Sequence, residues 1–244
     1  RIQQEGAGAI VRKRPRHRLE DAQAETFQLR GKDGAVGCVQ VVFDRGDIGA
    51  DNYAFVEPEP ATWAQLALVH TAEYLAKMRD GTLGETEVAQ LELPWSAGMV
   101  DGFRRMVGGT ICAALAACDS QDDRTQSAQS TQGRRFSASS AGSAFKVVAH
   151  IGGGLHHAFP NHGEGLCPFN DVAVAARVLQ ERGLARIAIV DLDVHHGNGT
   201  AFIFEADPRV FTLSMHQQHN YPLWKPRSTL DVGLPDGAHD AAYL

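Results

Sequence analysis

The sequence is poor in cysteine. It has four in 244 residues, Cys38, Cys112, Cys118 and Cys167, with no CxxC pair among them. Scattered single cysteines exclude a disulfide framework and read as reduced thiols of an intracellular protein. It also lacks a long apolar run: none reaches the roughly 18 residues of a helical membrane span. It has no excess of positive charge. Lys and Arg total 23 against 29 Asp and Glu, a net charge of −6. That argues against a surface that grips nucleic acid throughout, while a local basic patch stays open. No internal repeat is visible. The first residue is Arg1 rather than Met, and residues 240–244 carry no stop signal, so the chain reads as a fragment. What is present fits a soluble globular protein with one substantial α/β domain: 26.4 kDa, 43% hydrophobic and 21% charged residues.

Residues 1–55 read as a poorly defined N-terminal segment. Within them Arg12–Arg18 (RKRPRHR) is a basic run interrupted by Pro15. A solvated tail is the plain reading, and a nuclear-import or nucleic-acid contact the sharper one. Val36–Phe43 reads as a short strand. Apolar residues at 63, 66, 67, 70, 74, 75 and 78 predict one helix over Trp63–Met78. His70 lies on its apolar face and reads as a hydrogen-bonded core histidine. A second helix is expected over 98–117, where Gly108 and Gly109 suggest close packing on another element. Residues 119–144, rich in Ser and Gln, read as a disordered insertion. Phe145–Ile151 reads as a buried strand, Asn170–Arg182 as a helix capped by Asn170 or Asp171, and Arg186–Leu192 as another buried strand. Gly199–Ala206 follows as a short helix and Arg209–Met215 as a strand. Strand, helix, strand, helix, strand at this spacing predicts a parallel sheet flanked by helices.

The chemistry gathers in the loops at the strands' carboxyl ends, 152–169, 191–199 and 214–222. Eight of the eleven histidines lie between His150 and His219. Ile189–Gly199 (IVDLDVHHGNG) spaces Asp191, Asp193 and His195 two apart, so extended geometry would bring all three to one side. Asp193 and His195 offer a carboxylate oxygen and an imidazole nitrogen, a pair that suits zinc with a position left open. Asp191 lies deeper and needs a cation or an imidazole N–H as partner. After a triple-glycine turn, His156 and His157 point in different directions and can do different work: one takes a proton from water, the other stabilises developing negative charge. Asp191 and Asn198 are natural orienters for the two, one charged and one neutral.

The run 151–170 (IGGGLHHAFPNHGEGLCPFN), with IVDLDVHHGNGT and FTLSMH, resembles the catalytic core of the zinc-dependent histone deacetylase family. LPWS at 93–96, VGGT at 107–110 and LDVGLPDG at 230–237 lean towards its bacterial and class IV-like branch. The resemblance covers about residues 60–244 apart from 119–144, so 56–244 would be a partial catalytic domain of the arginase/deacetylase fold, incomplete at its C-terminus. It implies that Asp193 and His195 are zinc ligands, one zinc per site. His157 would be the general base, oriented by Asn198, where many relatives carry Asp. His156 would be the electrostatic histidine, held by Asp191. Asp191 would also ligate a structural K+ with Ser214 and the main-chain oxygens of Asp193, His195 and Met215. Gly165 would line the acetyl-lysine channel and Tyr221 would form one aromatic wall. Leu166 stands where the family usually has the opposing Phe, which implies a wider channel. The family's third zinc ligand, an Asp, and its transition-state Tyr are expected downstream of Leu244, which would leave this chain inactive as it stands.

The implied reaction of the intact protein is hydrolysis of acetyl-lysine to acetate and lysine, on a histone or another protein. The expected setting is cytoplasmic or nuclear, with no direct nucleic-acid or membrane partner. Three alternatives stay open. One is hydrolysis of an acetylpolyamine or other small acetylated amine. Another is a two-manganese ureohydrolase, disfavoured because Asp-x-Asp-x-His replaces Asp-x-His-x-Asp. The third is a non-catalytic acetyl-lysine-binding fragment.

Overall fold

Two three-stranded sheets and a layer of helices make up the computed structural model, which describes residues 39–43, 53–129 and 147–244. The Arg12–Arg18 run, most of the 1–55 segment, residues 130–144 of the expected insertion, and the first residues of the strands expected at 36 and 145 lie outside the described residues.

The helix expected over Trp63–Met78 is two helices. In α1 (Trp63–Leu66), Thr62 and Gln65 form a reciprocal capping box. A fresh N-cap at Thr71, whose side chain accepts from the Tyr74 N–H, starts α2 (Ala72–Asp80), and Gly81 closes it in the left-handed region at φ 71°. The break has a tertiary cause. The Thr71 N–H donates to Pro160 O at 2.8 Å. His70 is buried, donating from Nδ1 to Phe159 O at 3.0 Å and accepting the Asn170 N–H on Nε2 at 3.1 Å. His70 is therefore the hydrogen-bonded core histidine that the sequence suggests. A helix absent from the sequence reading, α3 (Glu85–Leu91), follows; Glu87 caps it by accepting the Gly84 N–H at 2.8 Å.

The next helix, α4 (Ala97–Gln129), runs past the expected end at 117 through residues 119–129. That stretch holds no Gly or Pro, so nothing in it stops a helix already formed. The close approach expected near Gly108 is real: a Cβ there would collide with the Glu59 carbonyl oxygen. The main core lies between α1, α2, α4 and α5 (Asp171–Glu181), around Leu66, Tyr74, Met78, Val107, Phe169 and Val174. Phe169, wholly buried, meets Trp63, His70 and Tyr74 edge-on. Removing its ring would cost about 3–5 kcal/mol.

One sheet is antiparallel, in the order β2 (Tyr53–Val56), β1 (Val39–Phe43), β3 (Val147–Ile151). The other is parallel, in the order β4 (Ile187–Asp191), β5 (Val210–Gln217), β6 (Leu230–Leu234), with α6 (Asn198–Phe204) crossing from β4 to β5 and a short α7 (Asp240–Tyr243) ending the chain. The expected parallel sheet flanked by helices is thus present, but β3 is not hydrogen-bonded into it. An apolar run marks a strand; it does not name the strand's partner. Nor are β3 and β4 buried on both faces. Ile187 and Ile189 pack against Ala173, Ala176 and Phe204, while Val190 on the other face is 58% exposed, beside Phe211 at 40% and Leu230 at 46%. Ile151, at the end of β3, is 46% exposed. No helix among the described residues is long and apolar enough to cross a membrane.

Candidate active site

Asp191 is the last residue of β4, and the register sets it beside Ser214 on β5, which in turn pairs with Asp231 on β6. The strand stops there, so extended geometry does not carry Asp191, Asp193 and His195 to one side. Two side-chain-to-backbone bonds do so instead. Asp191 Oδ1 accepts the Asp193 N–H at 3.0 Å, and Asp193 Oδ1 accepts the His195 N–H at 2.8 Å. Short acidic side chains that bond the backbone two residues on are natural turn formers. The outcome is the expected convergence by another route: His195 Nδ1 lies 3.0 Å from Asp193 Oδ1. Both side chains are open, 39% and 50% exposed, while the Asp191 side chain is 15% exposed.

The histidine pair sits against this turn. His156 donates from Nδ1 to Asp191 Oδ2 at 2.6 Å, and its Nε2 lies 3.9 Å from Asp193 Oδ1. His157 donates from Nδ1 to Asn198 Oδ1 at 2.7 Å. The two Nε2 atoms face each other at 3.1 Å. Each ring therefore has one nitrogen tied down and one turned to a shared space. Burial pushes the His157 imidazole down to a pKa of about 4, helped by the charges of His156 and His195. For Asp191, burial pushes the carboxyl up, but the hydrogen bonds from His156 and the Asp193 N–H outweigh it and leave its pKa below the ordinary value.

Asp171 fixes the loop that carries the pair. Of the two expected capping residues, Asn170 caps α5, its Oδ1 accepting the Ala173 N–H at 2.9 Å. Asp171 turns away and accepts the Leu155 N–H at 2.7 Å, the Gly154 N–H at 3.1 Å and the Thr110 hydroxyl at 2.5 Å. A wholly buried carboxylate with three donors holds the end of the triple-glycine turn and Leu155, which leads into His156. Asn170 also donates from Nδ2 to Ala158 O at 3.2 Å, past the far side of the pair. Sequence reading missed this function of Asp171. Its signal is an Asp following a residue that already suffices as the cap.

Of the residues expected to line a channel, Gly165 and Tyr221 come together beside His157. The Tyr221 ring stands edge-on to His157 at 5.0 Å and to His195 at 5.9 Å between centroids. Gly165 has φ 53°, and a Cβ there would lie 2.9 Å from Tyr221 Oη and 3.0 Å from the His157 ring, so only glycine fits. Leu166 is 52% exposed with φ 65°. The unforeseen α3 supports this loop: the Leu166 N–H donates to Leu91 O at 3.0 Å and the Gly165 N–H to Gln90 O at 3.3 Å. Glu164, also missed, accepts from Asn198 Nδ2 at 2.8 Å and from the Tyr221 hydroxyl at 2.9 Å. Ser214 pairs with Asp191 across the ladder and Met215 follows it on β5; Ser214 is buried, with its Oγ 3.1 Å from His216 Nδ1. Behind the turn, His196 donates from Nε2 to Asp231 Oδ1 at 3.1 Å, tying the HHGNG segment to β6.

The Histone deacetylase domain model matches residues 39–244 and so takes in β1 and β2, upstream of the motifs read from the sequence. An uncharacterised protein of Picosynechococcus sp. is 43% identical over 189 residues, covering 77% of this chain and 55% of that protein. The acetoin utilization protein AcuC of Bacillus subtilis is 33% identical over 187 residues, 73% of this chain and 41% of its own. A probable deacetylase of Archaeoglobus fulgidus is 28% identical, covering 82% and 52%. The chain spans about half the length of these curated relatives. Among solved structures, an HDAC homolog from Aquifex aeolicus shares the fold with a TM-score of 0.54 at 24% identity, over 74% of this chain and 47% of that one.

Proposed function

This chain belongs to the histone deacetylase family, and from that premise we propose that the intact protein hydrolyses the amide of an acetylated lysine side chain, on a histone or another protein. One observation carries the reading: two adjacent histidines face the Asp193–His195 pair with their free nitrogens together, one backed by a carboxylate and the other by a neutral amide.

Asp193 and His195 fit a zinc ion. Their donor atoms already approach to 3.0 Å, both side chains are accessible, and a carboxylate with an imidazole is a zinc donor set. Zinc held there would polarise the acetyl carbonyl and acidify water. Asp191 and Ser214, paired across the ladder, with the main-chain oxygens of Asp193, His195 and Met215, would be the residues to hold a structural K+. His157 keeps Nδ1–H on Asn198, so Nε2 is the atom free to accept a proton from the attacking water. As water oxygen bonds to the acetyl carbon and the carbon–nitrogen bond breaks, that proton passes to the lysine nitrogen. His156, anchored on Asp191, presents Nε2 to the charge developing on the carbonyl oxygen. Gly165, Leu166 and Tyr221 line the path of the substrate's aliphatic stem. The setting this implies is intracellular, cytoplasmic or nuclear, without a direct nucleic-acid or membrane partner.

The test is side-by-side kinetics of the complete gene product on an acetyl-lysine peptide and an acetylpolyamine, with metal analysis. Higher kcat/KM on the peptide with one zinc per chain supports the reading. Preference for the polyamine moves the substrate to small acetylated amines, two manganese ions per chain move it to ureohydrolase chemistry, and binding without turnover leaves an acetyl-lysine-binding protein.

A further inference from the structure

We propose that Glu164 is a positioning residue that sets the tautomer of His157 through Asn198 and holds the Tyr221 wall in place. The proposal rests on the amide-hydrolase reading above only for its kinetic test. Four groups converge on this one carboxylate from separate parts of the chain. Its Oε1 accepts Asn198 Nδ2–H at 2.8 Å, from α6, and the Tyr221 hydroxyl at 2.9 Å, from the β5–β6 connection. Its Oε2 accepts Gln90 Nε2–H at 3.2 Å, from α3, and lies 3.6 Å from His162 Nε2. The side chain is 17% exposed. Burial pushes the Glu164 carboxyl up, but hydrogen bonds from Asn198, Tyr221 and Gln90 outweigh it and keep the group ionised below its ordinary pKa.

The consequence follows from donor and acceptor counting. An ionised carboxylate only accepts, so the Asn198 amide must turn its NH2 to Glu164. Its carbonyl oxygen then faces His157, and an oxygen there accepts only from a protonated Nδ1. Nε2 is left as the bare nitrogen, 3.1 Å from His156 Nε2 and beside the Asp193–His195 turn. Asn198 is 1% exposed, so no water competes to turn the amide over. The His156 arm needs no such relay, because Asp191 accepts Nδ1–H directly. An uncharged orienter on its own could bind either tautomer of an imidazole; the carboxylate behind it removes the choice. The same oxygen anchors Tyr221, whose ring stands 5.0 Å from His157, so one group aligns the proton acceptor and the channel wall.

The experiment compares the complete protein, Glu164→Gln, Asn198→Asp and the double variant. Glu164→Gln keeps the shape but lets the amide at 198 turn over. The expected result is a 10- to 100-fold fall in kcat with little change in KM. Asn198→Asp alone sets two carboxylates face to face and is also impaired. The double variant gives His157 a carboxylate directly and recovers kcat to within about tenfold of wild type, a reciprocal rescue that a merely structural role does not produce. Nitrogen-15 NMR of the His157 ring tests the claim without turnover: the wild type shows the Nδ1–H tautomer and Glu164→Gln shows a mixture or the Nε2–H form. An unchanged tautomer in Glu164→Gln overturns the proposal even in an active enzyme. A wild type that hydrolyses no acetylated amine but shows the tautomer change overturns the hydrolase reading and leaves the proposal standing.

Discussion

His156 and His157 are neighbours in one dipeptide, yet their second nitrogens meet opposite surroundings. The His156 arm ends at Asp191, a carboxylate at the tip of β4. The His157 arm meets the neutral Asn198, the first residue of α6, and reaches a carboxylate, Glu164, only through it. The difference comes from topology more than from the dipeptide. A strand end and a helix start, seven residues apart in the sequence, reach the same loop from two directions. Two identical side chains can then hold protons differently, which is the condition for an acid and a base in one site.

The comparison is broken most severely by removing one arm. His157→Ala should lower kcat by about 10²- to 10⁴-fold with the fold retained, as expected for loss of the proposed general base. Circular dichroism and steady-state kinetics on the complete protein check both halves of that statement.

A third buried histidine, His70, sharpens the contrast by being held neutral between two backbone groups, with no carboxylate partner among the described residues. Burial lowers the His70 pKa from 6.5 to about 4. The folded state therefore favours the neutral ring. Its contribution is fully present above pH 6.5 and erodes as the pH falls towards 4. A gap of about 2.5 pH units, at 1.36 kcal/mol each, makes the full loss roughly 3 kcal/mol. Urea unfolding between pH 7 and pH 4.5 should show the loss in wild type, and His70→Gln should flatten it.

Asp191→Asn makes the two arms alike. It should reduce kcat by about 10- to 100-fold, since a partner that orients a catalytic ring carries an effect of that order. Equal rates for wild type and variant would mean that the charge on the His156 arm is idle. The smallest effect concerns the proposed substrate channel beside the His157 arm. Leu166→Phe, which under the proposed reading adds a second aromatic wall to that of Tyr221, should lower KM for an acetyl-lysine peptide by about two- to fivefold and leave kcat alone.

Much of the site was legible because its residues are close in sequence and chemically unusual. Asp191, Asp193, His195 and the His156–His157 pair stood out by spacing, and the structure brings them within reach of one another. The parallel ladder of β4 and β5 followed from the alternation of strands and helices. What was not legible depends on distant partners. Asp171 looks like a cap until Gly154 and Leu155 are seen on it, and Glu164 looks like a loop acid until Gln90, Asn198 and Tyr221 reach it. The break at Thr71 and the pairing of β3 with β1 have the same origin, contacts made far along the chain. The parallel sheet's exposed apolar face, with Val190, Phe211 and Leu230, is equally invisible to a reading that counts only apolar runs.

The most direct test of the central claim is acetate release from an acetyl-lysine peptide by the complete, zinc-loaded protein. The account predicts steady turnover that a chelator abolishes and added zinc restores. A folded, zinc-loaded protein that releases no acetate from any acetylated amine would contradict it.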